Sequence, residues 1–116
     1  MTPEFESLIA TLRQFARDRD WEQFHSPKNL ACALAVEAGE LLEHFQWLPE
    51  EQSRELPAEK MAQVAAELAD VFLYLLQLSD ALGVDLISAA EQKIVANAAK
   101  YPVDRSRGNS KKYTEL

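Results

Sequence analysis

A single cysteine in 116 residues leaves no intrachain disulfide available, so the fold has no covalent staple and a reducing compartment is expected. That residue, Cys32, lies among Ala31, Ala33 and Leu34 in a stretch of helical character and is expected to be a small buried hydrophobe. The start, Met1-Thr2-Pro3-Glu4, lacks the basic residues and apolar core of a signal peptide. No uncharged apolar run approaches the length of a bilayer span, and the expected setting is cytoplasmic with no membrane partner. Positive charge is also short. The 12 lysines and arginines stand against 19 acids, and the formal charge of -7 argues against a nucleic-acid partner, because phosphate backbones are held by basic stripes. No Gly-x-x-x-x-Gly-Lys loop is present, which excludes a P-loop as a phosphate cradle. A nucleotide arriving already complexed with a divalent cation remains compatible with this charge.

What the chain does have is helical periodicity. At 47% hydrophobic content it reads as one modest all-α domain over residues 1–102, followed by a mobile basic tail over 103–116. Thr2-Pro3-Glu4 supplies a cap, a first-turn proline and an acid, and Phe5, Leu8, Ile9, Leu12, Phe15 and Ala16 then recur at helical spacing. Trp21-Glu22-Gln23-Phe24-His25 is a connection carrying two large aromatics and a histidine; it either closes over a core edge or lines a pocket for a planar ligand. Ser26-Pro27 opens a second helix expected to reach about Trp47, where Pro49 discourages continuation. A charged connection with room for one helical turn leads to the longest helix, Pro57 to Leu82, stopped by Gly83. Asp85 caps a last helix to about Ala99. Four long helices predict a four-helix bundle.

The functional statement lies in two acidic pairs, Glu37 with Glu40 and Glu67 with Asp70. An i, i+3 spacing puts both acids of a pair on one helix face. On the second helix that face also carries Leu30, Ala33, Leu34, Leu41, His44 and Leu48, so solvation does not explain the acids. Carboxylates gathered in an apolar setting call for a cation, and oxygen-only ligands suit Mg2+ or Mn2+ better than zinc. A di-iron bundle requires Glu-x-x-His, which neither pair supplies. Glycosidase chemistry requires two carboxyls, and a matched set of four exceeds that. Mg2+-assisted phosphoryl chemistry uses all four. Lys93, Asn97 and Lys100 form a cationic and amide stripe on the last helix, which by itself reads as a solvated face.

Glu37-x-x-Glu40 followed by Glu67-x-x-Asp70 resembles the signature of the all-α nucleoside triphosphate pyrophosphohydrolases, the MazG-like superfamily. The likeness is closer to its small single-domain branch acting on dCTP. It rests also on Arg19-Asp20-Trp21-Glu22-Gln23-Phe24-His25, Phe45-Gln46-Trp47, Tyr101-Pro102 and Ser110-Lys111-Lys112-Tyr113-Thr114-Glu115-Leu116. One departure is Leu12, where the dCTP-preferring branch is expected to carry a histidine near the base. The resemblance implies a Mg2+-dependent enzyme, with Mn2+ a possible substitute, that converts a nucleoside triphosphate such as dCTP or a modified dCTP to the monophosphate and pyrophosphate, clearing surplus or modified nucleotides. By motif it implies Glu37, Glu40, Glu67 and Asp70 as metal ligands, with Glu37 and Glu40 nearest the catalytic step. Trp21, His25, Trp47 and Tyr74 would line the base and sugar pocket, and Lys93 and Asn97 would face the phosphates.

The second and third helices look apolar all round, more than a chain this short can cover. Their backs, with Ala31, Ala35, Ala38 and Leu42 on one and Ala69, Leu73 and Leu76 on the other, predict a symmetric dimer, which the resemblance extends to a tetramer. The competing reading is a non-catalytic helical association module with a structural ion site. It gives no reason for two acidic pairs on apolar faces together with Trp21, Trp47 and Tyr74.

Overall fold

The computed structural model describes residues 2–116, and no strand occurs among them. The chain divides into two compact units, Thr2–Val84 and Asp85–Leu116. The first contains α1 (Pro3–Asp18), a 3-10 turn (Glu22–Phe24), α2 (Pro27–Glu43), α3 (Glu50–Ser53) and α4 (Ala58–Leu82). The second contains α5 (Leu86–Lys100), α6 (Val103–Ser106) and a 3-10 turn (Tyr113–Glu115).

Within the first unit α2 packs most extensively on α4, and α1 also lies against α4. The buried apolar residues come from all three helices: Ile9 and Ala16 from α1, Leu30 from α2, Val64 and Leu76 from α4. The Phe5 and Phe72 rings meet edge to face at 5.7 Å, a geometry their quadrupoles favour. Further along the same pair of helices the Arg13 guanidinium clasps the Asp80 carboxylate with two hydrogen bonds, one of them Nε to Oδ2 at 2.8 Å. The bond from Arg13 holds the Asp80 carboxyl below its ordinary range, against the opposing effect of burial.

The helix ends decide where the aromatic segment goes. Pro3 opens α1 at a position whose N–H would have no intrahelical partner. At the other end Asp20 takes a left-handed φ of 55°, a conformation that aspartate tolerates better than most side chains. The Trp21 N–H then donates back to the Ala16 carbonyl at 2.9 Å and that of Asp20 to Arg17 at 3.1 Å, the Schellman arrangement. Gln23 Nε2 donates to both the Asp20 carbonyl and its Oδ2, each at 3.0 Å. The Ser26 hydroxyl accepts from the Asn29 N–H at 3.2 Å to cap α2, while Asn29 Nδ2 donates to the Phe24 carbonyl at 2.9 Å. Gly83, with φ 68°, closes α4 by the same Schellman pattern.

Three expectations change. α2 stops at Glu43 rather than near Trp47: the N–H groups of His44 and Phe45 turn to carbonyls three residues back, and Leu48 donates to Phe45, so the chain tightens into turns before Pro49. Cys32 is exposed, because it shares the outer face of α2 with Ala31, Ala35 and Val36 while Leu30, Ala33 and Leu34 face inward. The basic C-terminal stretch carries α6 and a closing turn, in which the Tyr113 ring meets Tyr101 edge to face at 6.1 Å and takes Lys100 Nζ at 4.8 Å from its centroid. α4, with 25 residues, is long and apolar enough to cross a bilayer by length and composition; the central helix of a soluble protein satisfies the same criterion, and this one carries Glu67 and Asp70 on the side that matters below.

Candidate active site

Packing α2 on α4 converts two sequence motifs into one cluster. Oxygen atoms of Glu37, Glu67 and Asp70 all lie within 4.8 Å of one another. Glu40, one helical turn along α2, brings its carboxyl within hydrogen-bonding reach of Glu37 and is half-buried. The inward face of α2 is the one its periodicity assigns: Leu30, Ala33, Leu34, Glu37, Glu40, Leu41 and His44 are all buried or half-buried, and their neighbours between are exposed.

Electrostatically the cluster is unresolved by the protein alone. Glu37 Oε2 and Glu67 Oε2 are shielded from solvent and accept no hydrogen bond from any described residue. Loss of water above all, then the hydrogen bond to Glu40 and the charges of Glu40, Asp70 and Glu67, together raise the Glu37 pKa to about 7. Buried acceptors without donors are costly unless something positive meets them. Clustered carboxylate oxygens with no nitrogen or sulfur donor are the set that hard divalent cations prefer, so the residues present fit a Mg2+ or Mn2+ ion.

Beside the carboxylates opens a cavity of about 280 Å3. Its walls bring together Trp21, His25, Asp70 and Tyr74, four of the residues singled out by sequence, with Leu12, Phe15, Leu73 and Gln77. Trp21 stands edge to face with Phe15 at 5.8 Å and with His25 at 6.3 Å, and Arg19 lies 3.5 Å over the far ring, on Phe15. A second hollow of about 320 Å3 shares Leu12, His25 and Gln77 and runs toward the Arg13–Asp80 pair. An apolar and aromatic cavity with a few convergent polar groups, placed next to a group of carboxylates, is the form of a small-molecule site.

Not every expected residue is in that wall. Trp47 stands in the turn after α2, is 86% exposed and lines neither hollow. Lys93 and Asn97 belong to the other unit, where they lie exposed and one turn apart on α5. Conversely, the periodicity did not single out Gln77, which sits three residues beyond Tyr74 and seven beyond Asp70 on the same face of α4. Phe15, expected as core, is 46% exposed and contributes to the aromatic wall instead.

A helical chain with a carboxylate cluster suited to a divalent cation at a helix pair and an aromatic cavity beside it defines a class, and comparison with known proteins gives that class a family. The MazG-like family matches residues 32–116, and the chain belongs to it. Its sequence is similar to dCTP pyrophosphatase 1 of Homo sapiens, 42% identical over 98% of this chain and 68% of the relative. The Bos taurus protein of the same name is also 42% identical, over 98% of this chain and 69% of that one. In three dimensions the fold matches the crystal structure of a pyrophosphatase from Archaeoglobus fulgidus with a TM-score of 0.81 and 38% identity, covering 88% of this chain and 95% of that one.

Proposed function

We propose that this chain is a nucleoside triphosphate pyrophosphohydrolase that cleaves dCTP, or a modified dCTP, to the monophosphate and pyrophosphate with Mg2+ held by Glu37, Glu40, Glu67 and Asp70. It is a hydrolase of the pyrophosphatase class, as its curated relatives are. The observation that carries the reading is the pair of donorless buried oxygens on Glu37 and Glu67, adjacent to a cavity of nucleoside dimensions walled by Trp21, His25 and Tyr74.

When bound, the cation supplies neutralisation of the polyphosphate charge and a lowered pKa for a water in its shell. The protein's own groups divide the remaining work. Glu37 is assigned as the carboxylate that accepts a proton from water, and the positive charge of a bound cation would keep it ionised for that role. Glu40, Glu67 and Asp70 would supply the other carboxylate oxygens to the cation. Trp21 and His25 present ring faces and edges for the base, Tyr74 supports the sugar, and Leu12, Phe15 and Leu73 exclude water from the cavity.

The direct test is pyrophosphate release from a panel of dCTP, dTTP, dUTP and dATP in the presence of Mg2+. Turnover with kcat/KM highest for a pyrimidine is the expected result, and a clear purine preference or no turnover would contradict the reading.

The working form in this proposal is a homo-oligomer, a tetramer built as a dimer of dimers. What supports it is the outer surface of the α2–α4 pair, where Val36, Leu42 and Leu68 are 60%, 57% and 53% exposed, apolar area that a monomer leaves in water. Light scattering at micromolar concentration should give a multiple of 13.1 kDa, and a stable, fully active monomer would overturn it.

A further inference from the structure

We infer that Gln77 is the residue that reads the pyrimidine's exocyclic group, selecting the 4-amino function of cytosine over the 4-oxo function of uracil. This rests on the pyrophosphohydrolase reading above and extends it to the choice of base. Three observations lead there.

The first is position. Asp70, Tyr74 and Gln77 stand at i, i+4 and i+7 on α4 and all line the same cavity. At 1.5 Å per residue, Tyr74 lies about 6 Å and Gln77 about 10 Å along the axis from Asp70. That is roughly the run of a nucleotide from its α-phosphate past the sugar to the far edge of the base. With Asp70 at the carboxylate end, the far edge falls at Gln77.

The second is polarity. The Gln77 amide nitrogen donates to the Leu73 carbonyl one turn back on its own helix, at 3.4 Å. Turning the amide over would set its oxygen against that carbonyl, two acceptors face to face. The anchored orientation leaves Oε1 as the group offered to a ligand, and it accepts no hydrogen bond from another described residue. A fixed acceptor pairs with the amino hydrogens of cytosine and opposes the carbonyl oxygen that uracil presents at the same place.

The third is the character of the other walls. Leu12, Phe15 and Leu73 are apolar and can only pack. Trp21 and His25 stand edge to face with each other, and their ring faces stack on any base. Asp70 is committed to the carboxylate cluster.

The test compares kcat/KM for dCTP and dUTP in the wild type, in Gln77→Met and in Gln77→Glu, with a substrate-side control that needs no variant: a dCTP analogue carrying hydrogen in place of the 4-amino group. The wild type should prefer dCTP and should treat the analogue about ten-fold worse than dCTP. Gln77→Met, similar in volume, should lower the dCTP/dUTP ratio about ten-fold, both by losing dCTP turnover and by relieving the opposition to the uracil carbonyl. Gln77→Glu keeps an acceptor and should retain most of the preference. An unchanged ratio in Gln77→Met, or full turnover of the analogue by the wild type, would overturn the assignment while leaving the pyrophosphohydrolase reading in place. A wild type inactive on every triphosphate would remove both.

Discussion

Glu37→Gln should lower turnover of dCTP by roughly 10²–10⁴-fold, the usual contribution of a positioned proton acceptor, and should raise the melting temperature of the chelator-treated protein. The two effects share one cause. Glu37 is drawn up to about 7 by loss of water, by its bond to Glu40 and by the charges of Glu40, Asp70 and Glu67, so ionising it costs the folded state what it does not cost the unfolded chain. Its folded pKa lies above its unfolded value. The associated stability is therefore fully present below the unfolded pKa of about 4.5 and is lost as pH rises through about 7. Without a cation the wild type should melt a few degrees higher at pH 5.5 than at pH 8, on the order of 2–5 °C for a domain of this size. In Glu37→Gln most of that pH dependence should disappear. A variant with near wild-type turnover, or a metal-free wild type whose melting temperature rises from pH 5.5 to 8, would count against the assigned role.

Adding Mg2+ at pH 8 should also raise the melting temperature, and by more. A cation that binds only the folded state at a hundred times its dissociation constant contributes about 2.7 kcal/mol, which for a chain of this length is a rise of roughly 5–15 °C. The shift should shrink as pH falls below about 7, because a proton on Glu37 competes for the same oxygens. Mn2+ should substitute. Glu67→Gln and Asp70→Asn should each remove most of the shift while leaving helix content intact, since both residues belong to the converging oxygens and neither is fully buried. Differential scanning calorimetry with and without the cation reads this directly, with activity as an independent measure. Full activity in excess chelator would rule out the carboxylates as a required cation site.

Much of this was legible before any coordinates, and the reason is the narrowness of helical periodicity. The face of α2 that reads Leu30, Ala33, Leu34, Glu37, Glu40, Leu41 and His44 is the face that turns inward, because a 3.6-residue repeat leaves no second way to bury those side chains together. The caps were equally direct: Ser26 and Asp85 open α2 and α5, and Gly83 closes α4, each through local chemistry. Tertiary neighbours decided the rest. Whether Cys32 is covered depends on what lies opposite α2, and it is exposed. Gln77 escaped notice because a glutamine on a helix ordinarily reads as surface; only the cavity shared with Trp21 and Tyr74 gives it a role. Pro49 marks only where a helix must already have stopped, and the turns at His44 to Leu48 end α2 a full turn sooner.

The segment from Asp20 to Asn29 is connected like a strap buckled at both ends. Trp21 is tied by its backbone to the last turn of α1, and Phe24 is tied by Asn29 to the first turn of α2. The aromatic wall therefore shares the stiffness of the helices that flank it. In the proposed function, a base entering the cavity beside Trp21 and His25 would meet surfaces already set in place, so binding would spend little on ordering the protein. Discrimination at such a site comes from whether a substrate fits as it arrives, and a misfit is rejected by shape and unmatched polarity without any need for a loop to close over it.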